Sequence, residues 1–165
     1  MTQDLSNGSL LLKAAMNFNN TEVTNKGDLV TPAALADYTT DELLGRANTV
    51  RFESSSPAEA FQFSARVQRP TTTWMVKLNR WGEVTIPSGT VEREQVLSGK
   101  WTTDMEYSFQ ANSQVRVSFG VNNMFDVYPD KTIKSNSFNG IFQHSGYSPF
   151  GFSGRYVYTR LDMTL

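Results

Sequence analysis

Apolar and polar side chains alternate along six stretches of the chain, which is the pattern of a strand with two unlike faces. The clearest stretch covers 100–111. There Trp101, Met105, Tyr107 and Phe109 fall on one side, and Thr102, Asp104, Glu106, Ser108 and Gln110 on the other. Over 114–122, Val115, Val117, Phe119 and Val121 oppose Gln114, Arg116, Ser118 and Gly120. The last residues repeat the pattern, with Val157, Leu161, Met163 and Leu165 against Tyr156, Tyr158, Arg160, Asp162 and Thr164. Nearer the start, Leu10, Leu12, Ala14, Met16 and Phe18 alternate with Lys13 and Asn17. Phe61, Phe63, Ala65 and Val67 alternate with Gln62, Ser64, Arg66 and Gln68, and Trp74, Val76 and Leu78 with Met75, Lys77 and Asn79. The pattern predicts an all-β fold, an antiparallel up-and-down meander of six long strands. Such strands approach the roughly 9–11 residues that cross a bilayer at a tilt, whereas strands of globular proteins average about 5–6.

The connections between these strands also alternate. Short turns fall at Arg69-Pro70-Thr71-Thr72 and at Asn112-Ser113, and long connections at 19–58, 83–99 and 123–152. Short turns on one rim and long loops on the other are the arrangement of an outer-membrane barrel. Within the first long connection, Thr39-Thr40-Asp41-Glu42 reads as a capping box, with Leu43 and Leu44 following and Gly45 ending the helix. Trp74, Trp81, Trp101 and Phe18 lie near strand ends, the place of an aromatic girdle at the headgroups.

Composition alone fits a soluble, rather polar β protein of 165 residues, 39% of them hydrophobic. The alternation supplies another account of that figure, because strands of an outer-membrane barrel turn only every second residue toward lipid. The 15 basic and 16 acidic side chains leave a net charge of -1. That balance counts against nucleic-acid binding through phosphate neutralisation and against a polybasic membrane-surface module. With no cysteine and one histidine, disulfide scaffolds, Cys zinc sites, thiol catalysis and multi-His metal centres are excluded. No apolar stretch approaches the about 20 residues of a transmembrane helix. Met1-Thr2-Gln3-Asp4 opens with neither the basic nor the apolar region of a signal peptide.

No enzyme motif stands out. Ser98-Gly99-Lys100 lacks the upstream glycine spacing of a phosphate-binding loop, and neither a nucleophile elbow nor a dinucleotide fingerprint is present. Asp104 and Glu106 share one strand face, but catalytic carboxylate pairs come from segments on either side of a substrate. The alternation places Lys13, Arg66, Lys77, Asp104, Glu106, Arg116, Arg160 and Asp162 together on the polar face. In a transmembrane barrel that face lines the lumen, where these charges form a ladder that meets the lumen contents rather than lipid. Counting back from Asn112-Ser113 sets Arg116 near Ser108 and diagonal to Glu106. His144 sits in the aromatic loop segment Phe138-Asn139-Gly140-Ile141-Phe142-Gln143-His144-Ser145-Gly146-Tyr147. A lone loop histidine is expected to be solvated or hydrogen-bonded rather than a metal ligand, so neither a metal nor another cofactor is expected.

Two segments carry a family resemblance. Gly120-Val121-Asn122-Asn123-Met124-Phe125-Asp126-Val127-Tyr128-Pro129-Asp130 resembles the penultimate-strand segment of TonB-dependent outer-membrane receptors. Ser148-Pro149-Phe150-Gly151-Phe152-Ser153-Gly154-Arg155-Tyr156-Val157-Tyr158 resembles the lead-in to their last strand. Supporting similarity comes from Arg80-Trp81-Gly82-Glu83-Val84-Thr85, from Leu44-Gly45-Arg46, and from Phe52-Glu53 with Pro57 beyond.

The resemblance implies a non-enzymatic receptor of the bacterial outer membrane that takes up a scarce nutrient such as a ferric siderophore, haem or another metal complex. Its partners would be outer-membrane lipid, a plug, the remaining barrel strands, and a TonB system acting through the plug. Such barrels have about 22 strands and the smallest outer-membrane barrels 8, so residues 1–165 are expected to be one C-terminal segment, not transport-competent alone. Leu165 stands where these barrels usually end in an aromatic residue. Phe142, His144, Tyr147 and Phe150 are the loop residues placed to touch a ligand.

Alternation does not say which face is inside. A soluble lipocalin-like barrel binding a small apolar ligand has the same pattern with Val117, Phe119, Leu161 and Met163 turned inward. A carbohydrate-active enzyme on a β scaffold rests on Asp104 and Glu106 alone.

Overall fold

The computed structural model describes residues 1–24, 30 and 32–164, and the expectations attached to Leu165 lie outside them. In chain order the strands are β1 (Thr2–Leu5), β2 (Gly8–Phe18), β3 (Glu59–Gln68), β4 (Thr72–Trp81), β5 (Val84–Ile86), β6 (Gln95–Leu97), β7 (Lys100–Gln110), β8 (Val115–Asn122) and β9 (Tyr156–Met163). Seven of them form one antiparallel sheet in the order β1-β2-β3-β4-β7-β8-β9, and β5 pairs with β6 apart from it. All six expected strands are present, with small differences at their ends. The three additional strands gave no periodic signal: β1 is polar and held by backbone pairing with β2, while β5 and β6 have only three residues each.

Directly opposed residues of an antiparallel pair share a face, so rows can be followed across the sheet. Leu12, Ala65, Val76, Met105, Val121 and Val157 are successive partners and make an apolar row. One residue along, Leu11, Arg66, Met75, Glu106, Gly120 and Tyr158 make the neighbouring row on the opposite face. Burial runs opposite to that of a soluble core. Thr73, Asn79, Thr102, Ser108 and Ser118 on the polar face are buried, whereas Met16, Phe18, Trp101, Phe119 and Leu161 on the apolar face are exposed.

Aromatic side chains gather at both ends of the apolar face. Near the short turns the ring centroids of Trp74 and Tyr107 lie 4.4 Å apart, Tyr107 and Phe109 6.1 Å, and Phe109 and Phe119 6.5 Å. Near the long connections Phe18 meets Phe61 edge-on at 5.5 Å, and Phe63 stacks with Trp101 at 6.5 Å. At about 3.4 Å per residue, Trp101 and Phe109 are about 27 Å apart along β7. Trp81 departs from the expected girdle. It pairs with Lys100 on the polar face, and its indole N–H donates to Thr102 Oγ1 at 3.3 Å.

The turn from β7 to β8 is wider than the two residues expected. Asn112 Oδ1 accepts the backbone N–H groups of Gln114 and Val115, both at 2.9 Å, and pins a loop over 111–114. Arg116 therefore pairs with Gln110; it stays near Ser108, as expected, but is no longer diagonal to Glu106. A shift of two residues leaves every side chain on its expected face.

The long connections are built as a layer. Helices α1 (Thr40–Leu43) and α2 (Arg46–Glu53) lie in the first of them. The capping box forms as expected: Thr39 Oγ1 accepts the Glu42 N–H at 3.3 Å, and Glu42 Oε2 accepts the Thr39 N–H at 2.7 Å. Gly45 ends α1 but also caps the start of α2, a helix with no apolar period to announce it. The buried apolar cluster sits here, with Val84, Ile86 and Leu97 enclosed and α2 against β5. Arg46 and Glu94 pair through two contacts, of 2.6 and 2.8 Å. The third connection is tied to the hairpin by Gln95, whose side chain donates to the Lys131 carbonyl at 2.8 Å and accepts the Ile133 N–H at 2.9 Å. Asp130 accepts from the Ser98 N–H and hydroxyl, both at 2.6 Å, and from Lys100 Nζ at 2.7 Å.

Burial pushes the Asp130 carboxyl up, but the Lys100 ammonium and the two Ser98 donors outweigh it and hold it at about 2. A lowered folded-state value means that this stabilisation is complete above the ordinary carboxylate range, near 4, and is lost as pH falls through about 2. The Ser98 amide resonance of the detergent-solubilised chain should therefore titrate with a midpoint near 2, and Asp130→Asn should abolish that titration. A midpoint near 4 would show that the contact contributes nothing.

Candidate functional site

The polar face carries all eight charged residues expected to share it, joined by rows that pair Lys13 with Ser64, Ser64 with Lys77 and Lys77 with Asp104. Toward the β9 edge, Ser118 pairs with Arg160 and Arg116 with Asp162. Two connected groups of hydrogen bonds occupy this face. In the first, Gln62 Nε2 donates to Asn79 Oδ1 at 3.1 Å, and Asn79 Nδ2 donates to Asp104 Oδ2 at 3.1 Å. The other Asp104 oxygen accepts the backbone N–H of Asn123 at 2.9 Å, which fastens the connection leaving β8 to the middle of β7.

In the second group Glu106 is the hub. It accepts the Tyr158 hydroxyl at 2.7 Å and Arg160 Nη2 at 3.2 Å, while Arg160 Nε reaches Asp162 at 3.3 Å. Gly120 makes the Tyr158 contact possible. It stands directly between Glu106 and Tyr158 in the sheet, and a Cβ there would strike the Tyr158 ring. With no side chain on β8, the phenol lies across that strand and reaches β7. Arg116 donates to Ser108 at 3.4 Å across the diagonal, so Arg160, not Arg116, is the cation that reaches Glu106. Both carboxylates expected to resemble a catalytic pair are thus engaged by donors of the sheet.

The remaining cations differ. Lys13, Arg66 and Lys77 make no ion pair among the described residues, although Asp104 is the direct neighbour of Lys77. The polar face is therefore uneven. Around β7–β9 it sets Asp104, Glu106 and Asp162 against Arg116 and Arg160, and over β2–β4 it carries Lys13, Arg66 and Lys77.

A second concave feature lies in the loop layer, a cleft of about 410 Å³ lined by Ile86, Asn136, Phe142, His144, Tyr147 and Phe152 among others. Three of the four expected loop residues meet there. Phe150 does not line it: it lies in a turn closed by the Ser148 hydroxyl on the Gly151 carbonyl at 2.7 Å. His144 stacks on Tyr128 at 5.4 Å, and its Nδ1 is buried without a hydrogen-bond partner among the described residues. Ile86, Asn136 and Phe152 carried no sequence signal of a site, because packing of the β5–β6 hairpin against the third connection brings them together.

Replacing Gly120 by Val should displace Tyr158 from Glu106 and destabilise the sheet by about 1–3 kcal/mol, as overpacking does. Denaturant unfolding in detergent measures the cost. Gly120→Val combined with Tyr158→Ala should recover part of it, and equal costs in the two variants would contradict the contact.

No protein-family model matches the chain, and no curated protein matches it. Solved structures do. Two mutants of the ferric enterobactin receptor PfeA from Pseudomonas aeruginosa match over 98% and 99% of this chain, both with a TM-score of 0.61, at 14% and 13% identity. The ferric-catecholate import receptor Fiu of Escherichia coli, in its closed form, matches over 72% of this chain and 16% of its own at a TM-score of 0.49 and 15% identity. The chain spans only 21% of the length of either PfeA chain. The likeness is one of fold: this chain is an antiparallel all-β sheet resembling a portion of a receptor barrel.

Proposed function

We propose that the chain forms part of the barrel wall of a TonB-dependent outer-membrane receptor that takes up a ferric siderophore or another metal complex. The observation that carries this reading is the burial within the sheet, where Thr73, Asn79, Thr102, Ser108 and Ser118 are covered and Met16, Phe18, Trp101, Phe119 and Leu161 are exposed. A lipocalin-like barrel in water requires the reverse, because exposing the continuous apolar rows costs roughly 25 cal/mol per Å² of apolar surface. Lipid removes that cost. At the usual strand tilt of about 40°, the two aromatic clusters stand about 20 Å apart along the membrane normal, near the about 25 Å band of an outer-membrane barrel.

In this reading the apolar face meets outer-membrane lipid, and the polar face with its eight charges lines a lumen occupied by the plug and crossed by the cargo. Residues 1–165 form one segment of that barrel, completed by strands and a plug outside it, and a TonB partner acts through the plug. The layer built from the long connections faces the exterior. Phe142, His144 and Tyr147, with Phe150 in the adjoining turn, contact the arriving complex there. The likeness to PfeA, a ferric enterobactin receptor, supports iron complexes as the cargo class. The protein acts as a receptor and not as an enzyme.

Met105 and Met75 test the orientation, since they lie on neighbouring strands but on opposite faces, Met105 beside Val76 and Met75 beside Glu106. In lipid vesicles Met105→Arg should cost about 2–4 kcal/mol, as a charge at mid-bilayer depth does on a barrel's outer face. Met75→Arg, placed beside Glu106, should cost far less. Equal costs, or a chain that stays monodisperse in water without detergent, would overturn the reading.

A further inference from the structure

One cation lies on the apolar face. Arg80 is flanked in its row by Phe61 and Trp101, at the depth of the aromatic cluster near the long connections. Among the described residues of the sheet it is the one cationic side chain on that side. The guanidinium is held in place: it donates to the Trp81 carbonyl and lies so close over Gly99 that a Cβ there would strike it. That is the one hydrogen bond of its side chain among the described residues, so most of its donors are unused. Glu59 Oε1 stands 3.7 Å from Nη2, an ion pair without a hydrogen bond. Arg80, Glu59 and Glu83 line one open cleft of about 430 Å³, together with Phe18, Ala58 and Gly99.

An apolar hollow lies beneath this cleft, toward the middle of the face. The two rows inward of Arg80 run Ala14–Phe63–Leu78 and Leu12–Ala65–Val76. Their alanines leave a hollow of about 450 Å³, lined by these side chains among others. At about 3.4 Å per residue it begins about 7 Å from Arg80. In the other direction Glu59 stands one row outward, opposite Phe18, and Glu83 follows the end of β4. The order across the rim is therefore apolar hollow, cation, then two carboxylates. A lone phosphate would be repelled by the carboxylates, and a lone ammonium by Arg80. A headgroup whose phosphate is followed by an ammonium matches both.

We propose that Arg80, Glu59 and Glu83 seat the headgroup of a phosphoethanolamine lipid, with one of its acyl chains in the hollow beneath. That the occupant is a lipid rests on the barrel reading above; the order of the charges does not. Arg80 donates to the phosphate oxygens, and the ammonium, with three N–H donors, is shared by the two carboxylates on the aqueous side. A phosphoglycerol headgroup offers the phosphate without a cation, and a phosphocholine offers a cation with no N–H to donate. Phosphoethanolamine satisfies both halves of the cleft.

Native mass spectrometry of the detergent-solubilised chain tests this, with equimolar dioleoyl phosphoethanolamine, phosphoglycerol and phosphocholine lipids in competition. The phosphoethanolamine lipid should be retained about fivefold more than either of the others. Arg80→Gln should erase that preference. Glu59→Gln combined with Glu83→Gln should transfer it to the phosphoglycerol lipid, because the cation then stands alone. Ala65→Phe, which fills the hollow, should lower retention about threefold, and Lys134→Gln in the loop layer should leave it unchanged. Circular dichroism in the same detergent establishes that each variant is folded before it is compared.

Equal retention of the three lipids, a preference that survives Arg80→Gln, no transfer in the double Gln variant, or unchanged retention by Ala65→Phe overturns the seat. So does loss with Lys134→Gln, which would mean a response to overall charge. Displacement of the lipid by an equal concentration of water-soluble phosphoethanolamine would assign the cleft to a small zwitterion and would also overturn it. These failures leave the receptor reading intact, because that reading stands on the cost of Met105→Arg against Met75→Arg in lipid.

Discussion

Unbroken antiparallel pairing from β1 to β9 is the constraint on which the rest of this structure depends. Because consecutive side chains of a strand point to opposite faces, one consistent register across seven strands sorts the whole sheet into an apolar and a polar surface. A slip of one residue at any pair would drive charges such as Lys77 or Glu106 among Val76 and Met105. A slip of two does not, which is why the wider turn at Asn112 changes the neighbour of Arg116 without changing its face. In the proposed reading, the backbone hydrogen bonds that fix the register would also let the apolar side face lipid, since they pair main-chain polar groups between adjacent strands.

The two surfaces are held together differently. On the apolar face the side chains make rows and aromatic clusters with little enclosure, and the surrounding solvent decides whether that is favourable. The polar face is ordered by directional bonds, with Glu106 and Asp104 as acceptors shared between strands. Gly120 shows how closely backbone and side chain are matched there, because the Tyr158–Glu106 bond exists only where the strand between them lacks a Cβ. The enclosed apolar cluster is small and lies outside the sheet, where Val84, Ile86 and Leu97 anchor the layer of long connections. That layer is otherwise tied by polar side chains to backbone groups, chiefly through Gln95 and Asp130. A rigid platform of this kind positions Phe142, His144 and Tyr147 around one cleft although they belong to an irregular segment.

The segment 120–130, which carries the family resemblance, has a legible mechanical role. Asn123 and Asp126 adopt left-handed backbone conformations, with φ of 51° and 59°, that turn the chain off the end of β8. Each polar side chain then ties a different element: Asn123 closes its own turn onto Val127, Asp126 accepts the Arg155 N–H just before β9, and Asp130 holds Ser98 and Lys100 at the start of β7.

Alternation by itself determined the six long strands, their antiparallel order and the eight charges that share a face, because a period of two records which of two environments each residue meets. The capping box of α1 was equally legible, since its bonds close within four residues. Other features were decided by tertiary structure. Strands β5 and β6 and helix α2 carry too few periodic residues to stand out and form because they cover one another. That Arg160 rather than Arg116 reaches Glu106 follows from register, which depends on turn geometry. The pattern could not say which face is covered: alternation is symmetric between inside and outside, and only the packing of the sheet shows Thr73, Asn79, Thr102, Ser108 and Ser118 buried on the polar face while Met16, Phe18, Trp101, Phe119 and Leu161 stand exposed on the apolar one.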